Sequence, residues 1–443
     1  MVMSYLNDLE KTQQFVAWFR EASPYIHAHR GRTFVISIAG EALETPQFPY
    51  LIHDIALLSS LGIRVVLICG IRVQIEHELE RRGIESRYVD GIRITDETAL
   101  SCVKAACGEV ISTVESLLSM GLTNSPTIEM FINTATGNFI VARPMGIRDG
   151  IDYCYSGEVR RVNVAAMTKR LDEGCIVLIA PVGYSPTGEV FNLLAEDVAA
   201  EVAIALKAHK WVCVSETKGL YDQQNRFIQQ LTLLEAQQVM NREADVSLRQ
   251  QLTNAIRACQ RGVQRVHLIP RQVEGSLLLE LFSRDGIGTL ISTDPFEHIR
   301  RAKIEDIGGL LALLEPLEES GILVRRSREK LEMEIDQFLV QERDGMIVAC
   351  AALYPFVNED MAELACLAVH EEYRGNNRGD IMLNYIEREA RRLQIGRVFV
   401  LTTYTADWFR ERGFQPANLD VLPMQRRALY NYKRNSKVFI KSL

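Results

Sequence analysis

The sequence lacks any apolar run approaching the roughly 18 residues of a membrane-spanning helix. Its N-terminus carries charges and glutamines where a secretory signal requires an apolar block. Metal-ligand spacings are missing as well: the eight histidines include no HExxH, and the nine cysteines include no CxxC. Isolated cysteines in odd number, several inside apolar runs such as the one ending at Cys69, exclude a disulfide framework and read as small buried hydrophobes. There is no concentrated basic face either, because 50 Lys+Arg against 57 Asp+Glu give a net charge of −7. A nucleic-acid binder needs such a face, whereas a small anion needs only a local basic cluster. The expectation is a cytoplasmic chain with no metal, no membrane segment and no nucleic-acid partner.

What is present is core-forming material. A length of 443 residues with 47% hydrophobic content implies at least two domains. The first 22 residues carry Leu6, Leu9, Val16 and Phe19 near helical spacing, with Phe15 and Trp18 beside them. This stripe predicts a helix that serves as an oligomerisation arm or folds back on its own domain. From Thr33 onward, short apolar runs alternate with helical ones: Phe34–Ala39, Leu51–Leu61, Val65–Cys69, a helix from about Gln74, Cys175–Ala180, Trp211–Val214 and Val266–Ile269. Continuous apolar runs of that length suit strands buried on both faces of a largely parallel sheet, so the fold class is α/β. The polar Ser-Thr-Asp-Pro295 segment marks a boundary. The resulting division is a helix over 1–24, a first domain over 25–291, a linker over 292–298 and a second domain over 299–443. The second domain reads helix, three strands, helix, strand, helix and a last strand.

After the predicted strand Ala362–Val369 comes a turn holding Arg374, Gly375, Asn376, Asn377, Arg378, Gly379 and Asp380, which opens a helix. A strand, a Gly- and Arg-rich turn and a helix N-terminus can bind a pyrophosphate, because unpaired N–H groups and the helix dipole favour an anion. An ordinary helix-entry loop would use the same residues. The turn resembles motif A of the GNAT superfamily of N-acetyltransferases, Arg/Gln-x-x-Gly-x-Gly/Ala, with Arg374 first, Gly379 last and Asn377 in place of the first glycine. Asn tolerates the left-handed backbone that glycine would supply.

Wider segments extend the likeness. Leu323 to Glu329, Glu363 to Val369, Leu401-Thr402-Thr403 and Trp408 to Phe414, together with the first domain, resemble the bacterial N-acetylglutamate synthase family. That resemblance implies acetyl transfer from acetyl-CoA to the α-amino group of L-glutamate, the first step of arginine biosynthesis. The reaction needs a base for the ammonium and an acid for the departing thiolate. Glu363 is the expected base; Thr402 is the expected acid, with Tyr404 as its neighbouring alternative. Cys366, Leu367 and Val369 would meet the pantetheine. Arg326 and Arg434 would clamp the substrate carboxylates, although the Lys- and Arg-rich stretch from Val421 to Leu443 also reads as a solvated basic face.

The first domain resembles the amino-acid kinase family, through Tyr25 to Ile36 and through Arg265 to Thr289. Active members place a lysine where Ser37 stands and a second where Gln251 stands, and a phosphate-cradling triple glycine is here Gly70-Ile71-Arg72. Phosphoryl transfer depends on positive charge around the transferred group, so this domain should be regulatory. The resemblance implies an L-arginine site at Tyr25, His267, Glu280 and Gly286 and a homo-oligomer, a hexamer linked through the N-terminal helices. Two other readings compete: a kinase with an accessory acetyltransferase domain, and an amino-acid sensor whose second domain binds CoA or acetylates protein lysines.

Overall fold

The computed structural model describes residues 2–120, 132–216, 219–293, 297–375 and 377–443. The chain divides into two compact units, Met1–Pro295 and Phe296–Leu443. Helix α1 runs over Val2–His29 and contains Pro24, so it extends past the expected end of the arm at residue 24. Its last turns belong to the first unit, since Ala22 and His29 are buried and Tyr25 and Ile26 pack on that unit's core.

In the first unit the expected strands appear as β1 (Thr33–Ile38), β2 (Arg64–Cys69), β4 (Ile176–Ile179), β5 (Lys210–Ser215) and β7 (Arg265–Pro270), joined by three that were not expected, β3 (Thr134–Ala135), β6 (Gln230–Thr232) and β8 (Thr289–Ser292). They form one sheet in the order β6-β8-β7-β5-β1-β2-β4-β3. Every pair is parallel except β7 with β8. Strand β1 shows why its run is apolar throughout: Phe34, Ile36 and Ile38 enter one core layer and Val35 the other. Helices α2 (Phe48–Ser60), α3 (Arg72–Arg81) and α4 (Glu97–Ser119) feed the first layer. Asp96 caps α4 by accepting from Ala99 N at 2.8 Å. On the other layer lie α5 (Ala195–Ala205) and α6 (Val246–Gln260), while α7 (Ser276–Phe282) follows β7 and packs with the first. A separate four-stranded sheet within residues 140–192 carried no clear sequence signal.

The second unit begins earlier than the expected boundary at residue 299. Strand β9 (Glu297–Arg301) is its edge strand and takes in positions 297 and 298, which the expected linker had claimed. There follow α8 (Ile307–Glu319), α9 (Arg328–Met333), β10 (Phe338–Arg343), β11 (Met346–Phe356), β12 (Met361–Val369), α10 (Arg378–Arg392), β13 (Arg397–Thr402), α11 (Ala406–Glu411), β14 (Gln415–Ala417), α12 (Met424–Ala428) and β15 (Lys437–Ser442). The sheet order is β9-β10-β11-β12-β13-β15-β14, antiparallel except for β12 with β13.

Candidate acetyl-transfer and effector sites

A backbone irregularity in β12 opens the first site. Its register against β11 shifts between Cys350 and Ala352, and Cys366 has a left-handed φ of 51°. Ala362 and Leu364 enter the core beside α10, whereas Cys366 and Ala368 enter the core on the opposite side. A regular strand keeps alternate residues on one face, so the bulge turns β12 over. Beyond Glu363, β12 no longer pairs with β13, which continues to Thr402 against β15. The parting strands leave a cavity of about 470 Å3. Cys366, Leu367 and Val369 line one wall, Leu401 and Thr402 the other, and Arg374, Gly375 and Asn377 to Asp380 the mouth. Backbone groups of β12 that have lost their strand partner can pair with an extended amide chain instead.

The turn has the expected form at Asn377, whose φ is 54°. Asn376 lies outside the described residues. Gly375 also has positive φ, at 94°. Arg374 is exposed and its Nε reaches Val369 O at 3.4 Å. Arg378, expected to add charge for an anion, is turned elsewhere. It is buried and paired in bidentate fashion with Glu297, at 2.7 and 2.9 Å, and its Nη1 donates to Tyr373 O at 3.0 Å. Its charge is therefore compensated, and it ties the turn to β9. Asp380 likewise pairs with Arg412, whose guanidinium stacks on Trp408 at 3.9 Å. A Cβ on Gly379 would come within 3.1 Å of Trp408.

Glu363 sits where β12 and β13 part, buried and on the face away from α10. Both of its oxygens are engaged by Arg426 from α12, Nη2 to Oε1 at 3.0 Å and Nε to Oε2. Sequence reasoning missed Arg426; the basic run after Val421 was the available signal, but it pointed equally to Arg434. The Arg434 guanidinium donates to Ile322 O, four residues before Arg326. Arg326 is half-buried, its backbone N held by Glu318 at 3.1 Å. The fold thus brings Arg426 to Glu363, and Arg434 to the segment that precedes Arg326. Thr402 Oγ1 accepts from Thr405 N at 3.0 Å and lies on the cavity wall. Tyr404 is 78% exposed and outside that wall, which favours Thr402 of the two hydroxyls.

In the first unit, three of the four residues expected around an effector, His267, Glu280 and Gly286, come together, and Tyr25 lies in the last turns of α1. His267 Nδ1 and Glu280 Oε1 are 2.6 Å apart, both side chains buried. Glu280 Oε2 also accepts from Ile287 N at 2.7 Å and Gly288 N at 2.8 Å. A Cβ on Gly286, where φ is 60°, would meet that oxygen at 2.4 Å. Burial and Lys210 push His267 down to about 4. Burial opposes ionisation of Glu280, but its bonds to His267 and the two N–H groups hold the carboxyl below its ordinary value. The neutral ring then donates from Nδ1 to the carboxylate and turns Nε2 toward Lys210 Nζ, at 3.4 Å. Lys210 was not anticipated, because a lysine opening a strand gives no sequence signal of burial. Tyr25 lies one helical turn from His29, ring to ring at 6.2 Å, and His29 Nε2 bonds to Leu281 O at 2.8 Å.

Ser37, Gly70, Arg72 and Gln251 do converge on one cleft of about 310 Å3. Among the described residues no lysine lines it, and Arg93 in its wall is tied to Glu76 at 2.8 Å. Nor do the described residues hold any group of three or more His, Cys, Asp or Glu placed to bind a metal.

Comparison with known proteins matches both units. Residues 32–270 match the amino acid kinase family, and residues 310–429 match the acetyltransferase (GNAT) family. The amino-acid acetyltransferase of Aeromonas salmonicida (strain A449) is 48% identical over 439 residues, covering 98% of this chain and 99% of the relative. That of Azotobacter vinelandii (strain DJ / ATCC BAA-1303) is 50% identical over 431 residues, covering 97% and 100%. Among solved structures, N-acetylglutamate synthase from Neisseria gonorrhoeae complexed with coenzyme A and L-arginine is 40% identical, with a TM-score of 0.88 over 97% of this chain and 99% of the other. On full-length identity and on the pairing of an amino-acid-kinase-like domain with a GNAT domain, the chain belongs to the amino-acid acetyltransferases of the N-acetylglutamate synthase family.

Proposed function

We propose that the chain transfers the acetyl group of acetyl-CoA to the α-amino group of L-glutamate, as the first step of arginine biosynthesis in the cytoplasm, and that L-arginine bound to the first unit inhibits it. The observation that carries this reading is the opening between β12 and β13, with the buried carboxylate of Glu363 at the point of parting and held by Arg426. Arg426, joined by the Arg326 and Arg434 that the family resemblance implies, would meet the two carboxylates of free glutamate, which a protein lysine lacks. Extended pantetheine would lie along the unpaired stretch of β12, with its phosphates at the turn before α10, where Arg374 and the helix N-terminus carry uncompensated positive charge.

Glu363 then accepts a proton from the substrate ammonium, and the freed nitrogen attacks the thioester carbonyl. The tetrahedral species still carries a second proton to lose from its nitrogen; it collapses with loss of the CoA thiolate, to which the Thr402 hydroxyl, directly or through water, passes a proton while that nitrogen proton restores the hydroxyl. Since Arg426 occupies both Glu363 oxygens, a substrate carboxylate that recruits this guanidinium also frees the base. The buried His267–Glu280–Lys210 group supports an amino-acid effector site: ionised Glu280 offers a guanidinium partner and Lys210 a carboxylate partner. Assembly into a hexamer is supported by Phe15, Trp18 and Phe19 of α1, each more than 40% exposed in the single chain. A thiol-release assay across glutamate, other amino acids and a lysine peptide tests the reading. Acetylation of the peptide but not of glutamate would overturn it.

A further inference from the structure

We infer that Arg412 is a positioning residue for acetyl-CoA: it holds the Asp380 carboxylate off the anion site at the start of α10 and does not itself bind the phosphates. The inference rests on the placement of the CoA phosphates at that turn. Among the described residues lining the cavity, Asp380 is the one carboxylate, against Arg374, Arg378 and Arg412. It lies in the first turn of α10, whose N-cap residue, Asn377, makes no side-chain capping bond. The N–H groups of that turn thus remain for a ligand. An acidic side chain in a first turn ordinarily reaches for the same groups, because the helix dipole favours either anion. Asp380 therefore stands where its carboxylate would compete with a diphosphate and repel it.

The structure draws that carboxylate away. Arg412 engages both of its oxygens, Nε to Oδ1 and Nη2 to Oδ2 at 3.1 Å. The guanidinium is itself fixed from two more directions: Nη1 donates to Trp408 O at 2.9 Å, and the group lies over the Trp408 ring at 3.9 Å. Nη1 also meets Glu411 Oε2 at 3.2 Å, but that side chain is 72% exposed and screened by water. Gly379 admits the indole to the turn, since a Cβ there would come within 3.1 Å of it. Gly379, Trp408, Arg412 and Asp380 thus form one circuit at the cavity mouth, and all four line it. These hydrogen bonds take up most of the N–H groups of the Arg412 fork, so its service to a diphosphate is to cancel the carboxylate.

CoA binding measured by calorimetry on the full-length protein tests this, with steady-state kinetics beside it. Arg412→Gln keeps a donor for Trp408 O and removes the charge. CoA should then bind about tenfold more weakly, as for one uncancelled charge beside a partly exposed anion, while the glutamate KM stays within about twofold. The deficit against the native protein should shrink as salt rises from about 0.1 to 1 M, because the Debye length falls from roughly 10 to 3 Å. Adding Asp380→Asn to Arg412→Gln should restore CoA affinity to within about threefold of native, which neither a lost phosphate contact nor a damaged fold would allow. Asp380→Asn alone, which frees the Arg412 charge, should tighten CoA several-fold, and it tests the inference even where Arg412→Gln does not fold. Failure of the double variant to recover, or weaker binding in Asp380→Asn, overturns the role of Arg412. Unchanged CoA affinity in both Arg374→Ala and Gly379→Val overturns instead the placement of the phosphates on which the inference rests.

Discussion

Replacing Glu363 by Gln separates two tasks of one carboxylate. On the proposed reading it takes the proton of the incoming ammonium, and in the structure it holds Arg426 through two hydrogen bonds, one of them 3.0 Å long. An amide of the same shape accepts no proton, so kcat should fall by about 10²- to 10⁴-fold, the contribution of a positioned general base. The amide keeps one acceptor oxygen, so one of the two bonds to Arg426 survives in a weaker, uncharged form. The guanidinium is released by the difference between a charge-assisted pair and a single neutral acceptor, roughly 1–2 kcal/mol. Arg426 is about a quarter exposed in its side chain, so water partly replaces the lost partner and the fold should tolerate the change. If a substrate carboxylate draws on Arg426, that release lowers the glutamate KM several-fold while turnover collapses. Initial-rate thiol release, with glutamate and acetyl-CoA varied in turn, measures both quantities. A kcat within tenfold of the native enzyme would falsify the role of Glu363 as base, and a raised glutamate KM would refute the exchange of Arg426 between base and substrate.

Gly379→Val should raise the acetyl-CoA KM far more than the glutamate KM, because a Cβ already meets Trp408 at 3.1 Å and branching displaces the Trp408–Arg412 stack at the cavity mouth; equal effects on both substrates would indicate misfolding. Glu280→Gln should move the arginine inhibition curve by several-fold or more while uninhibited turnover persists, and an unmoved curve removes Glu280 from the effector site. Glu280→Ala is the poorer probe: it strands His267 and two backbone N–H groups in a buried setting, at a cost of about 3–5 kcal/mol. Burial lowers His29 to about 3 and, with Lys210, His267 to about 4, so the unfolded chain binds these protons first as pH falls below 6.5. Stability is complete above that value and is lost on acidification, by about 2 kcal/mol per histidine at pH 5; thermal unfolding from pH 7 to 5 checks this, and His29→Gln, which keeps a donor for Leu281 O, should flatten the profile.

The elements most legible in the sequence were those whose side chains answer to a single constraint. Strands β1, β2, β5 and β7 lie within two residues of the apolar runs that announced them, because burial on both faces makes most of their positions apolar. Helix α11 coincides with its expected span, Ala406–Glu411. Strand β9 is the counter-example. Its residues Glu297, Arg300 and Arg301 are charged because it is an edge strand, held by ion pairs such as Arg300 with Asp306 at 2.6 Å. Polarity there is the mark of an edge, and read linearly it looks like a linker. Helix α1 departs in the opposite way: the arm was expected to end at residue 24, whereas the helix passes through Pro24 and continues to His29.

The site divides along the same line. Glu363, Thr402 and the turn at Asn377 were visible because each lies within a few residues of the strand or helix end that aims it. Arg426 and Lys210 were not, because what holds each in place is a partner far away in the chain: Glu363 for Arg426 and His267 for Lys210. Arg378 shows the converse, a residue with the right identity in the right turn whose charge is taken up by Glu297, 81 positions earlier. In a charged site, sequence spacing therefore locates the backbone that approaches the ligand, while the counter-charges decide which cations remain free to bind it. By that criterion Arg374, with only a carbonyl contact, is the better candidate for the CoA phosphates. Arg374→Ala should weaken acetyl-CoA binding, whereas Arg378→Ala should first reduce stability by leaving Glu297 short of a partner. If the two variants lowered acetyl-CoA affinity equally at equal stability, compensation by Glu297 would not be what distinguishes them.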